Sequence, residues 1–209
     1  MFGESFLQTA IIALPAIVFA LTVHEYFHAR IALAFGDPTA RDMGRLTLNP
    51  LAHLDLFGTL MMFLSQFRFG WAKPVPVDPR NLRGNIRVAD FWISAAGPLS
   101  NLGLAFLFGM LYRFLGQMEM SVPLAVVVFL RISIIINVSL AFFNLIPLYP
   151  LDGSHILRSV LPESAGEALD RIQPYAPFIL IALIIVGGFW IILGPFISFF
   201  VYLFSGLRI

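Results

Sequence analysis

Cysteine is absent from the sequence, which excludes disulfide bonds and thiolate-bound zinc. Charge is scarce as well: Asp, Glu, Lys and Arg make up only 12% of the 209 residues, whereas 59% are hydrophobic. A soluble protein with a large core would need more surface charge than this composition supplies. The chain is therefore predicted to be an all-α polytopic membrane protein of one domain, residues 1–209, with the lipid bilayer around it and no nucleic-acid partner.

Two further absences concern the organisation of the chain. The first apolar segment has neither a basic n-region nor a small-residue cleavage site, so it is not expected to be a removable signal peptide. No internal repeat or low-complexity linker is evident. Because paired repeats are typical of secondary transporters, their absence disfavours a transporter.

The apolar runs predict about five transmembrane helices. We interpret the last run, about 174–207, as a helical hairpin of two spans, because Gly187-Gly188 and Gly194-Pro195 interrupt it; one broken span is the alternative. The three full spans that precede it are predicted at about Glu4 to Phe35, Val88 to Leu115 and Val122 to Leu148.

Two shorter stretches lie between the first and second spans. Leu56 to Phe67 is too short to cross a bilayer as a helix, so we interpret it as re-entrant or interfacial, with a short buried helix as the alternative. In Phe69 to Pro79, alternating valine and proline predict a short strand or hairpin edge. Such an edge could hold an unwound substrate by strand addition through Trp71, Val75 and Val77, although a rigid loop is an equal alternative.

The basic residues indicate the orientation of the chain. Cytoplasmic loops carry an excess of Lys and Arg, so the region between the first two full spans is predicted to face the cytoplasm of a bacterial-type cell membrane. The third span then returns Asp152 to the membrane side of His28. The basic residues concerned are Arg41, Arg45, Arg68, Lys73, Arg80, Arg83 and Arg87.

The first span contains the pattern His24-Glu25-Tyr26-Phe27-His28. On a helix, positions i and i+4 share one face, so both imidazoles can bind one metal ion while Glu25 takes a proton from a nearby water. A His pair satisfied by hydrogen bonds in a core is the alternative. Ionisable residues are costly inside a membrane helix and mark function there, which favours a zinc site.

Asp152 is the best candidate for a third ligand. A catalytic zinc usually has three protein ligands, and the break at Pro147 and Pro150 lets the chain turn this carboxylate inward. A helix-ending Asp-Gly turn is the alternative. Whether His155 or His53 approaches the metal stays open; we expect the first to face the headgroups and the second to lie in a loop.

Taken together, His24-Glu25-x-x-His28 and the later Asn144-x-x-Pro147-x-x-Pro150-Leu151-Asp152-Gly153 resemble the site-2 protease family of intramembrane zinc metalloproteases. The segment Ala96 to Asn101 also matches the family pattern. The resemblance covers a catalytic core of about 6–158, without room for a PDZ or nucleotide-sensing domain. It implies hydrolysis of peptide bonds within or near transmembrane segments of membrane protein substrates, zinc ligands at His24, His28 and Asp152, and Glu25 as general base.

The resemblance also assigns two asparagines. Asn144 matches the family asparagine near the site, which is expected to position substrate or steady the oxyanion, with a helix-capping or interhelical hydrogen bond as the alternative. Asn101 is expected to help pack the second span, with substrate contact as a second role. A non-catalytic metal-binding protein, such as a pseudoprotease or transporter, is the rival function; Glu25 argues against it, because binding alone needs no base. A homo-oligomer is left open.

Overall fold

The computed structural model describes residues 4–65, 70–117 and 122–209, and these residues are helical apart from their connections. The longest helices are three spans, of which α1 carries the His24 motif. The α-helices are α1 (Glu4–Ala34), α2 (Thr39–Asp42), α3 (Leu56–Leu64), α4 (Ile86–Gln117), α5 (Leu124–Asn144), α6 (Asp152–Val160), α7 (Glu163–Ile172), α8 (Ala176–Ile185) and α9 (Gly188–Ser205).

Among the described residues, four stretches of helix are long and apolar enough to cross a membrane, which confirms an all-α polytopic membrane protein. The predicted count of about five becomes four spans and one shorter apolar helix, Trp190–Ser205. The C-terminal run is divided at Gly187, whose φ of 74° is in the left-handed region that glycine adopts freely. The four spans are Ile11–Ala34, Ile86–Gln117, Leu124–Asn144 and Glu163–Ile185.

Helix α4 is the centre of the bundle, and α1, α5, α6 and α9 all pack against it. The face that meets these neighbours is built from small residues, which let helix backbones approach closely in a membrane. At Gly109 the approach is so close that an added Cβ would lie 2.7 Å from the carbonyl oxygen of Phe204. The buried small residues include Ala89, Ser94, Ala95, Ala96, Gly97 and Ala105.

The predicted strand or hairpin edge is wrong for the residues that the structure describes. Only an isolated antiparallel bridge joins Leu54 to Ala72, and the Lys73 amide donates to the His53 carbonyl over 2.8 Å. Pro74 and Pro76 have no N–H, so a regular ladder cannot continue beyond Lys73. The segment is an extended connection, which is the alternative that the sequence left open.

The predicted re-entrant piece forms helix α3, Leu56–Leu64, and its final residues, 66 and 67, lie outside the described ranges. It packs tightly on the chain that follows it: a Cβ at Gly70 would lie 2.8 Å from Cβ of Met62. Most of its apolar side chains are exposed, Leu56 by 79% and Phe57 by 68%. A re-entrant or interfacial position in the bilayer remains a prediction.

Helix α5 ends at Asn144, three residues before Pro147, which agrees with the predicted break. The chain turns and α6 begins at Asp152. The turn is tight because the start of α6 lies directly on the end of α5: a Cβ at Gly153 would clash with the carbonyl oxygens of Leu145 and Ile146. This contact fixes where the Asp152 carboxylate stands.

Candidate metal centre

Helix α1 places His24 and His28 on one buried face, where their side chains meet. Their Nε2 atoms lie 3.0 Å apart, and the two residues are only 4% and 8% exposed. The i, i+4 spacing on a helix accounts for this pairing, as the sequence predicted.

Asp152, the first residue of α6, completes the cluster from a distant part of the sequence. Its Oδ2 lies 3.2 Å from Nε2 of His24, and its Oδ1 lies 3.4 Å from Nε2 of His28. The three ligand atoms are all within 4.8 Å of one another. The structure therefore brings together the three residues that the sequence singled out as metal ligands.

The hydrogen bonds behind the two imidazoles show that this donor set suits a cation. Nδ1 of His28 is 2.7 Å from the carbonyl oxygen of Ile93, which can only accept, so Nδ1 carries the proton. Nδ1 of His24 faces the side-chain oxygen of Asn101 at 2.6 Å in the same way. In neutral imidazoles both Nε2 atoms then present lone pairs to each other and to a carboxylate, and a shared cation removes that repulsion.

Two further observations support this fit. Oδ2 of Asp152 is buried and accepts no hydrogen bond among the residues described, as expected if the neighbouring Nε2 has no proton. The wall opposite the ligands is Gly97 of α4, where an added Cβ would lie 2.5 Å from Nε2 of His24 and closer still to Nε2 of His28. The backbone is thus drawn back at the point where the ligand atoms converge.

Asn101 is placed differently from the substrate contact expected of it. It is fully buried, and its amide nitrogen donates to the Ala20 carbonyl at 3.2 Å and to the Asn137 side chain at 2.9 Å. Asn137 in turn donates to the Ser133 carbonyl at 2.8 Å. These bonds fix the Asn101 amide with its oxygen toward His24, and no part of the side chain is exposed.

Asn101→Leu is expected to weaken metal binding by about 10-fold to 100-fold, because outer partners of metal-bound histidines typically contribute that much. Leucine has a side chain of similar volume but cannot accept the hydrogen bond from Nδ1 of His24. Metal affinity of the purified protein, measured by competition with a chelator, checks this. Ser100→Ala is the matched control, since the Ser100 hydroxyl only donates to the Gly97 carbonyl of its own helix; equal affinities in the two variants would contradict the assigned role.

Glu25 is also buried, and the extended segment after Ala72 reaches it. Its Oε2 accepts a hydrogen bond of 2.9 Å from the backbone amide of Val75. Val77 packs against a hydrophobic cluster of Ala32, Ala89 and Ile93, while Trp71 is 43% exposed. Of the predicted substrate-binding residues, Val75 thus touches the site, through its backbone rather than its side chain.

Both ends of the Val75 segment are fastened by residues that the sequence did not reveal. Arg45 donates to the Lys73 carbonyl at 2.6 Å, and Asp37 accepts from the Asp78 amide at 2.8 Å. Burial alone would raise the pKa of Asp37, but the bonds from Thr39, Asp78 and Asn81 hold it below its usual range. The loop carboxylate therefore stays ionised and keeps the segment against α1.

The remaining predicted residues lie outside the ligand cluster. The Asn144 amide donates to the Leu140 carbonyl of its own helix at 2.9 Å, and its role in substrate positioning stays a prediction. His53 is buried and bonded to the Thr47 carbonyl at 2.8 Å, as a loop residue. His155 is half-exposed, one turn beyond Asp152, with Nδ1 at 3.7 Å from Asp90.

The fold and this cluster together define a polytopic membrane protein with a buried His-His-Asp metal centre and an adjacent glutamate. Residues 115–187 match the sequence profile of Peptidase family M50. The chain is 35% identical over 203 residues to "Putative zinc metalloprotease YwhC" of Bacillus subtilis (strain 168), covering 93% of this chain and 91% of the relative. The chain therefore belongs to peptidase family M50, which confirms the predicted family.

A second relative is more distant. The chain is 26% identical over 192 residues to "Putative zinc metalloprotease Rip2" of Mycolicibacterium smegmatis (strain ATCC 700084 / mc(2)155), covering 87% of this chain and 69% of the relative. No solved structure matches the chain.

Proposed function

We propose that this protein is a zinc-dependent endopeptidase that hydrolyses peptide bonds within or near the transmembrane segments of membrane protein substrates. The observation that carries the proposal is the convergence of His24, His28 and Asp152 beside Glu25, on a helix apolar enough to cross the membrane. Membership of a peptidase family and the names of the relatives support zinc and proteolysis.

His24, His28 and Asp152 would hold the zinc ion. When bound, zinc lowers the pKa of water at the site to about 7 and polarises the scissile carbonyl group. Nδ1–H bonds from the two imidazoles to Asn101 and Ile93 keep both Nε2 atoms directed at the ion. Three protein ligands leave a position open for water, which is the arrangement of catalytic rather than structural zinc.

Glu25 moves the proton. Its carboxylate accepts a proton from the attacking water as the new C–O bond forms, and gives that proton to the amine that leaves when the C–N bond breaks. The Val75 amide holds Oε2, so Oε1 is the oxygen left for the proton. Because this hydrogen bond already orients the base, less conformational entropy is lost when the reaction begins.

The place of the site along α1 indicates the kind of substrate. His28 lies six residues before Ala34, so the site is about 9 Å along the helix from that end and below the membrane surface. A substrate segment that enters there must unwind, because a helix hides its amides in hydrogen bonds. The basic residues of the loop that follows α1 support a cytoplasmic position for this end.

Removal and return of zinc tests the proposal. In liposomes, the purified protein is expected to cleave a single-span membrane protein, to lose at least 100-fold in rate with a strong chelator, and to recover when zinc is restored. A version of the substrate whose helix is stabilised by leucines should be cut more slowly, since it unwinds less. Bound zinc without cleavage of any transmembrane substrate would favour the non-catalytic rival instead.

A further inference from the structure

Beside the ligand cluster, one turn of α4 faces two histidines from different helices, His28 of α1 and His155 of α6. The Ile93 carbonyl accepts a hydrogen bond of 2.7 Å from Nδ1 of His28. One turn earlier on α4, Oδ1 of Asp90 lies 3.7 Å from Nδ1 of His155. The same helix thus faces Nδ1 of both imidazoles, whereas Nε2 of His28 lies in the ligand cluster, 3.0 Å from Nε2 of His24.

His155 is close to the ligands without being one of them. It follows Asp152 by three residues on α6, so the two side chains are neighbours about 5 Å apart on one helix face. The groups that form the cluster within 4.8 Å are His24, His28 and Asp152 alone among the described residues. The imidazole therefore stands one helical turn from a ligand of the cluster.

Asp90 is held in turn by α6. Its other oxygen, Oδ2, accepts from the Ser159 hydroxyl at 3.1 Å, and Arg87 donates to the carbonyls of Ser159 and Leu161 at the end of α6. These contacts hold the C-terminal end of α6 against α4, next to Asp90. Neither the zinc ligands nor Glu25 uses them.

His155 also lines an opening at the surface. A cavity of about 70 Å³ lies between the end of α5, α6 and α7, and Tyr149, His155 and Arg158 contribute to its wall. Arg158 is paired with Glu163 and Asp170 across this cavity. The imidazole is therefore open to the surface on one side, three residues along α6 from Asp152.

We propose that His155, held by Asp90, is a further catalytic residue of the proposed peptidase: its protonated imidazole donates an Nε2–H hydrogen bond to the carbonyl oxygen of the scissile peptide as that oxygen becomes negative. The imidazolium keeps its proton throughout, because the proton of the attacking water travels through Glu25 to the leaving amine. Fixed donors aimed at a developing oxyanion are among the largest contributions to catalysis of acyl transfer.

The electrostatic surroundings support a charged imidazole. The Asp90 carboxylate raises the pKa of His155 above its ordinary value, against the opposing effect of burial. Of the other charged groups near it, Asp152 also raises its pKa and His28 lowers it. The ring of Tyr149 faces the imidazole at 6.5 Å between centroids. Because its pKa is raised, the imidazolium persists to higher pH than that of a free histidine and is lost as the pH rises through that pKa.

The test compares His155→Ala with His155→Gln, since glutamine keeps a neutral N–H donor close to the position of imidazole Nε2. His155→Ala is expected to lower kcat about 100-fold, with KM changed by less than about threefold and the same zinc content per chain. His155→Gln should keep an intermediate kcat. A phosphonate peptide, which resembles the tetrahedral oxyanion, should bind the alanine variant about 100-fold more weakly than it binds the wild type. A hydroxamate chelator should bind the alanine variant and the wild type equally well.

The pH profile separates this role from a structural one. Asp90→Asn should move the basic limb of kcat to lower pH, because the pKa of His155 falls when the carboxylate charge is lost. Glu167→Gln is the matched control: it removes the charge of an exposed carboxylate on α7 that is not among the groups around His155, so the profile should stay as in the wild type.

Several outcomes would overturn the inference. Zinc lost from His155→Ala would make His155 a ligand or a structural residue, and a change in KM alone would make it a substrate contact. Unchanged kcat and pH profile in His155→Ala would leave it without a role in the reaction. The inference rests on the proposed function, and the two fail differently: cleavage that needs Glu25 but not His155 supports the peptidase and rejects the oxyanion donor.

Discussion

Gly97→Ala is expected to abolish metal binding, and with it more than 99% of cleavage. The new methyl group would stand 2.5 Å from Nε2 of His24, far inside the usual contact distance, and closer to Nε2 of His28. Both ligand atoms would have to move, and neither imidazole can do so without breaking its bond to Asn101 or Ile93. Zinc per chain, measured by elemental analysis of the purified protein, checks this prediction.

Gly103→Ala on the same helix is the matched control, because a Cβ at that position meets nothing within 4 Å. Alanine favours a helix over glycine by up to about 1 kcal/mol, so helix formation cannot cause a difference between the two variants. The control should bind zinc and cleave like the wild type. If Gly97→Ala also kept one zinc per chain, the ligand atoms could not converge beside α4 as the structure has them.

Glu25→Gln is expected to leave zinc binding intact and to lower kcat by about 10³-fold to 10⁴-fold. The amide keeps the size of the side chain and can still accept from the Val75 amide, but it cannot take a proton from water. General acid-base catalysis typically contributes about 10²-fold to 10⁴-fold, and Glu25 is assigned both proton transfers. Single-turnover cleavage in liposomes measures the loss.

Glu167→Gln provides the comparison for Glu25→Gln, since Glu167 is an exposed glutamate on α7. Its rate should equal that of the wild type. Substantial cleavage by Glu25→Gln, with its zinc retained, would assign the proton transfers to another group and remove the main argument for this mechanism.

The ligand set was predictable because it depends on regular features of the sequence. His24 and His28 share a helix face through the period of the helix alone. Asp152 was predicted from a count of membrane crossings and from the prolines that end α5, and the structure places its carboxylate 3.2 Å from His24. Neither step needed the details of side-chain packing.

Other parts of the site were not predictable because they depend on contacts between distant backbones. The amide of Val75 that holds Glu25 leaves no mark in the identity of the residue, and the alternation of valine and proline suggested a strand that the structure does not form. Asn101 was recognisable as a polar group in an apolar span, but its direction toward His24 depends on Asn137 of another helix. The same prolines that led us to predict an extended chain also prevent a regular ladder of hydrogen bonds between strands, because they have no N–H group.

The three candidate ligands come from two helices that are far apart in the sequence, α1 and α6, and this affects the stability and the lifetime of the protein. A metal ion that binds the folded bundle but not the separated helices acts as a cross-link between the first span and the chain beyond the third. Each tenfold excess of free metal over its dissociation constant then adds about 1.4 kcal/mol to the free energy of unfolding. A chain that has not acquired its ion is for this reason expected to unfold more readily, and so to be the shorter-lived form.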